Sequence, residues 1–298
     1  GISLLFAAII LPTDPAAVLS LFEEFDIAER LAVTIEGESL LNDGVAIVIF
    51  SSVLATIQAT DQSVTDLATL SGIAGFAADV ALIGGGGLAL GVAVGYAAHQ
   101  LVRRLTDTMA VLLTTVVVAY GSFLVAEHYL HLSGVLATVG AGVAMGAHGE
   151  THARMSDPEH TVQEVWSTLS FLVTTVLYVL IGSATTTAEF VDDWWLILTA
   201  TVLVVVVRAI TIYPLVSSMN LALDQPVPLR CQHIMVWGGL HTVVPVALVL
   251  AVPDSIARGL PLDTMVFGVA IISIVVQGLL MPTVLDLTGL ADGSGVDA

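Results

Sequence analysis

Apolar windows separated by polar turns recur along nearly the whole chain. They predict about nine membrane spans, near residues 1–21, 31–57, 72–98, 109–126, 133–148, 166–186, 194–217, 232–252 and 264–285. Most approach the ~20 residues a helix needs to cross a hydrocarbon core. A helix satisfies its backbone polar groups within the segment, so this series predicts an all-α, polytopic membrane bundle. The connection 149–165 is the longest polar one, and Asp157-Pro158 marks the start of a short surface helix within it. Gly87, Gly91 and Gly95 recur every four residues, as do Gly142 and Gly146. Such stripes let helix backbones approach closely, within the bundle or, as the alternative, at an oligomer contact.

The second span interrupts its apolar pattern with EGESLLNDGVAIVIF, residues 36–50. On a helix turning ~100° per residue, Thr34, Glu38, Ser39, Asn42 and Asp43 share one half of the circumference. Leu40, Leu41, Gly44 and Val48 occupy the other half. Asp43 lies roughly 18 Å along the helix from Leu31, near mid-depth of a bilayer. A charge at that depth costs about 2.5–3.5 kcal/mol even on the lower insertion scales, so the polar face is expected to line a site. The alternative is an interfacial loop followed by a span that begins at Leu40. A carboxylate beside water is a hard oxygen ligand for a small cation. Burial disfavours its charged form, so it also accepts a proton when the cation leaves.

The first span carries LPTDPAAV, where Pro12 and Pro15 remove two backbone donors and free the carbonyls of Ala8 and Leu11. The helix should break at Thr13-Asp14, although Asp14-Pro15 also reads as the start of an interfacial helix, PAAVLSLFEEF. Irregular backbone at membrane depth is tolerated only where it is buried or lines a cavity, and broken helices with acidic residues mark ion sites. A second interruption comes late, in VWGGLHTVVPVALVLAVP, where Gly238, Gly239 and Pro245 surround His241 and Thr242. One broken span early and one late suit an inverted repeat whose unwound stretches cross. Arg208 stands alone in VLVVVVRAITIYP and needs an acidic partner, Glu38 or Glu36, unless it snorkels to the surface.

Composition sharpens this picture. The chain is 56% hydrophobic and 11% charged, with a mean hydropathy of +0.97, which excludes an ordinary soluble domain. Seven basic residues, all arginine, face 26 acidic ones, for a net charge of −19. The acidic loops repel nucleic acid and anions, and carboxylate-rich, lysine-free loops suit a halophilic source. Arg30, Arg103, Arg104, Arg154 and Arg230 fall in odd-numbered connections and Arg258 in an even one, which makes the odd connections cytoplasmic. The visible chain is then expected to start outside and end inside. His148, His152 and His160 lie near Glu150, but HGETH lacks the H-E-x-x-H order of zinc proteases, so they read as solvated loop residues. A single cysteine, Cys231, excludes an intramolecular disulfide. Gly1 opens inside an apolar run without a basic leader, so the chain is expected to be a fragment lacking N-terminal helices.

The segments TDP at 13–15, EGESLLNDGVAIV at 36–48, RAITIYPL at 208–215, WGGLHTVVPVAL at 237–248 and IVVQGLLMPTVL at 274–285 together resemble the sodium/proton antiporters of the cation/proton antiporter superfamily, electroneutral prokaryotic branch. The resemblance implies an inverted-repeat fold over residues 1–290, followed by a polar tail at 291–298. It implies exchange of sodium, with lithium or potassium as alternative ions, for protons by alternating access in the cell membrane. It makes Asp43 the central ion- and proton-binding carboxylate, assisted by Asp14, Ser39 and Thr13 as sodium ligands, with Glu38 and Asn42 beside them. Glu38 would also pair with Arg208 as a structural ion pair. Asn42 stands where electrogenic relatives carry a second aspartate, which implies one sodium per proton and a role in pH homeostasis. The family forms homodimers in lipid, uses no cofactor and is not enzymatic. One departure is clear: many relatives read GGLRG where this chain has GGLHT, so His241 replaces an arginine and supplies its charge only when protonated. A cation channel without proton coupling is the rival of another class. An intramembrane hydrolase lacks a nucleophile–base arrangement in the spans.

Overall fold

A computed structural model describes residues 1–15, 18–19, 22, 29–59, 69–146, 158–184, 187–221, 226–257 and 261–290. The regular elements among them are helices. They are α1 (Ile2–Ile10), α2 (Glu29–Ala59), α3 (Leu70–Val102), α4 (Thr108–Leu124), α5 (Gly134–Gly146), α6 (Pro158–Ala184), α7 (Thr187–Asp192), α8 (Trp194–Met219), α9 (Leu229–Trp237), α10 (Val243–Leu250), α11 (Asp254–Ala257), α12 (Leu262–Ile272) and α13 (Leu279–Thr288). A π turn, Val125–Tyr129, extends α4, and another, Ser273–Gly278, joins α12 to α13. The second π turn ends at Gly278, the residue whose carbonyl would otherwise pair with the missing N–H of Pro282.

Among the described residues six stretches are long and apolar enough to cross a membrane, and the chain is a multi-pass membrane protein. Three of the nine expected spans fall outside that set for local reasons. The first and eighth are broken, at 11–15 and 238–242, and the fifth is a helix of 13 residues. The surface helix expected near Asp157-Pro158 is not a separate element, because α6 runs unbroken from Pro158. No glycine or proline occurs between residues 159 and 181 to end it. The HGETH segment, Arg154, Arg258, most of PAAVLSLFEEF and the tail 291–298 lie outside the described residues, as does the side chain of His160.

The chain divides into two compact units. The first comprises Gly44–Val176 with Gly1 and holds the second half of α2, α3 to α5 and most of α6. Thr69 caps α3 by accepting from the Gly72 amide at 3.1 Å, and Asp107 caps α4 by accepting from Met109 at 2.9 Å. The stripe of Gly87, Gly91 and Gly95 lies directly against the backbone of Ser133, just before α5, and of Ala137 and Ala141 on it. Any Cβ on the stripe would collide with carbonyl oxygens of that helix. Gly142 and Gly146 do not form a matching close contact, since each has open space where a side chain would project. Gly134 and Gly140 are the α5 glycines at tight approaches instead.

The second unit comprises Ile2–Asp43 and Leu177–Ala298. Its core gathers Val18, Leu31, Ile35, Ile212, Val216, Ile234, Met235, Leu240, Met281 and Leu285 from both ends of the chain. Within this unit α8 packs on α9 and α12, α10 on α1 and α12, and α9 on α13. Trp237 donates its indole N–H to the carbonyl of Gln277 at 3.0 Å, and the Gln277 amide returns a bond to the Trp237 carbonyl at 3.2 Å. This clasp ties the end of α9 to the π turn just before the late break.

Candidate functional site

The prolines at 12 and 15 end α1 at Ile10 and leave residues 11–15 extended, while Gly238 and Gly239 end α9 and leave 238–242 irregular. Both stretches belong to the second unit, and they meet. The amide of Asp14 donates to the carbonyl of Leu240 at 2.6 Å, forming an isolated antiparallel bridge. His241 donates from Nδ1 to the carbonyl of Pro12 at 2.9 Å, and Thr242 donates its hydroxyl to Oδ2 of Asp14 at 2.7 Å. Three consecutive residues of the late break thus hold the early one, satisfying polar groups that proline and glycine freed from helical pairing.

The polar face of α2 closes the site from the other side. The amide of Thr13 donates to Oδ1 of Asp43 at 3.1 Å, and the Ser39 hydroxyl donates to the Thr13 carbonyl. Asn42 donates from Nδ2 to the Leu11 carbonyl at 2.8 Å and to the Thr13 hydroxyl at 3.4 Å. Thr13, Ser39, His241 and Thr242 are buried, whereas Asp14, Asn42 and Asp43 are half-buried and open to exchange. The carboxylates of Asp14 and Asp43, the hydroxyls of Thr13, Ser39 and Thr242, and the main-chain oxygen of Thr13 therefore converge around residues 13 and 14. This is an all-oxygen donor set suited to a small hard cation.

Arg208 completes the surroundings. Its Nη2 lies 2.8 Å from Oε2 of Glu38 in an ion pair whose side chains are 10% and 25% exposed. Its Nη1 adds a weaker bond at 3.4 Å, and Nε donates to the carbonyl of Met235 at 3.0 Å. The guanidinium lies flat on Gly239, where any Cβ would overlap it. Glu36, the other candidate partner, is exposed. Glu38, Asn42, Arg208 and His241 face a cavity of about 530 Å³ whose remaining walls are mostly apolar side chains such as Phe6, Leu203 and Met265.

The candidate ion-site residues Thr13, Asp14, Glu38, Ser39, Asn42, Asp43 and Arg208 all lie in this second unit. Three participants were not foreseen. Gly239 and the Met235 carbonyl act through backbone, which leaves no signature beyond the glycine pair. Tyr178 on α6 lies close to Thr242 and to the charge of Asp14. A lone tyrosine in TTVLYVLIG was its only signal.

A family profile described as sodium/hydrogen exchanger, transmembrane, matches residues 1–287. The Na(+)/H(+) antiporter ApNhaP of Aphanothece halophytica is 35% identical over 97% of this chain and 54% of its own length. The Na(+)/H(+) antiporter NhaP of Pseudomonas aeruginosa is 34% identical over 93% of this chain and 63% of its own. The solved structure of the sodium proton antiporter MjNhaP1 from Methanocaldococcus jannaschii superposes with a TM-score of 0.72 at 18% identity, covering 96% of this chain and 69% of that one. The chain spans about half the length of the first of these relatives.

Proposed function

The chain belongs to the sodium/hydrogen exchanger family, a family of transporters, and from that premise we propose that it is the ion-exchanging part of an electroneutral sodium/proton antiporter of the cell membrane. Residues 1–290 form its transmembrane domain and 291–298 a polar tail. The observation that carries this reading is the amide of Thr13 on Asp43, which sets a mid-membrane carboxylate against the broken backbone of the Thr-Asp-Pro turn. Sodium is held by Asp43, Asp14, Ser39 and the Thr13 main-chain oxygen, with Glu38 and Asn42 shaping the surroundings. The carbonyl of Thr13 already takes the Ser39 hydroxyl, so hydroxyl and carbonyl are oriented together before an ion arrives. Asp43 releases its proton before sodium occupies the same oxygens, so each ion excludes the other. Alternating access then carries one or the other across, and the protein works as a homodimer in lipid.

The test is sodium-driven proton flux in vesicles containing the full-length protein. Asp43→Asn should abolish the dequenching of a pH-sensitive dye on sodium addition. Retained exchange in this variant would overturn the site assignment. A sodium flux that moves no protons in the unmodified protein would identify a channel instead.

A further inference from the structure

Thr242 begins α10 at the N-cap position, where a threonine ordinarily accepts a bond from an amide of the first turn. It makes no such cap bond. Its hydroxyl is buried, 2% exposed, and its single proton is committed to Oδ2 of Asp14 at 2.7 Å. The hydroxyl oxygen retains its acceptor capacity, and the phenol of Tyr178 lies nearby. Thr242 thus ties the late broken stretch directly to the Asp14 carboxylate.

We infer that Thr242 is a positioning residue for cation binding, fixing the Asp14 carboxylate from the late broken stretch. The inference rests on the reading of Asp14 as an ion ligand. A carboxylate with one oxygen held by a hydroxyl turns its second oxygen to the ion in one orientation. Without the hydroxyl the carboxylate is held less firmly, and the site loses affinity for the ion.

The measurement is the sodium and potassium dependence of proton flux in vesicles containing the full-length protein. Thr242→Val should raise the apparent KM for sodium roughly threefold to tenfold, the range of one net hydrogen bond, with a smaller change in maximal rate. Thr242→Ser, which keeps the hydroxyl, should restore it to within about twofold. An unchanged KM in Thr242→Val, or failure of Thr242→Ser to restore it, overturns the inference. If Thr242→Val does not reach the membrane, Thr242→Ala decides in its place: an unchanged sodium KM there is the overturning result. Asp43→Asn in the same vesicles separates the two levels. Exchange that survives Asp43→Asn refutes the site itself, whereas exchange lost in Asp43→Asn but insensitive to Thr242→Val refutes only the role of Thr242.

Discussion

Arg208 brings a permanent charge into an otherwise apolar run, and the bonds it makes decide whether that run folds. Its guanidinium holds two acceptors of different kinds, the Glu38 carboxylate and the Met235 carbonyl, and lies flush on Gly239. Removing one partner of a buried ion pair leaves an uncompensated charge and costs about 3–5 kcal/mol. Arg208→Glu should therefore lower the fraction of protein recovered as a monodisperse peak on size-exclusion chromatography. Adding Glu38→Arg should restore part of it, because the swapped pair recreates the carboxylate contact but not the bond to Met235. No recovery in the double variant would mean that the main-chain bond, not the ion pair, dominates. Gly239→Ala should mimic Arg208→Glu in direction, since a methyl group there displaces the guanidinium without touching either charge. The need for an acidic partner was legible from Arg208 alone, and Glu38 was one of two candidates. Choosing between Glu36 and Glu38 required the packing, as the two lie on different sides of α2 and only one faces α8.

At the scale of elements, the breaks were the most legible feature, because proline and glycine act on backbone hydrogen bonding locally. Pro12, Pro15, Gly238 and Gly239 place both interruptions within a residue or two of where the helices end. What the stretches do to each other was not legible. The bridge from the Asp14 amide to the Leu240 carbonyl joins backbone atoms far apart in sequence, and backbone atoms are the same in every residue. The glycine stripes show the same limit. Spacing alone made Gly142 and Gly146 equivalent to Gly87, Gly91 and Gly95, yet only the α3 stripe meets a neighbouring backbone. Gly91→Val should consequently force α3 and α5 apart and lower the apparent Tm in detergent by several degrees, an expected loss of about 1–3 kcal/mol for overpacking. Gly85→Ala has open space for its methyl group and should be neutral or slightly stabilising. Equal effects of the two substitutions would show that helix propensity, not the close approach, sets the role of the stripe.

For the whole molecule the decisive quantity is how much charge moves per cycle. Asn42 supplies amide donors to the Leu11 carbonyl and the Thr13 hydroxyl, a task an ionised carboxylate cannot perform, so this position adds no second exchanging acid. If Asp43 alone trades its proton for sodium, the proton-loaded and sodium-loaded forms carry equal net charge. The membrane potential then does no net work on the cycle. Moving one net charge would instead couple to about 2.3 kcal/mol per 100 mV. For two protons per sodium, a 100 mV potential would shift the pH difference that balances a fixed sodium gradient by about 0.8 unit. The full-length protein in proteoliposomes, clamped by a potassium diffusion potential, should show no such shift. If, as proposed, both ions use the oxygens of Asp43, protons compete with sodium, and acidification should raise the apparent sodium KM, approaching tenfold per pH unit where the site is mostly protonated. At alkaline pH the rate should fall for the opposite reason, because no proton is bound for return. A sodium KM that stays constant as maximal rate falls with acidification would separate the proton site from the sodium site and remove Asp43 as the group they share.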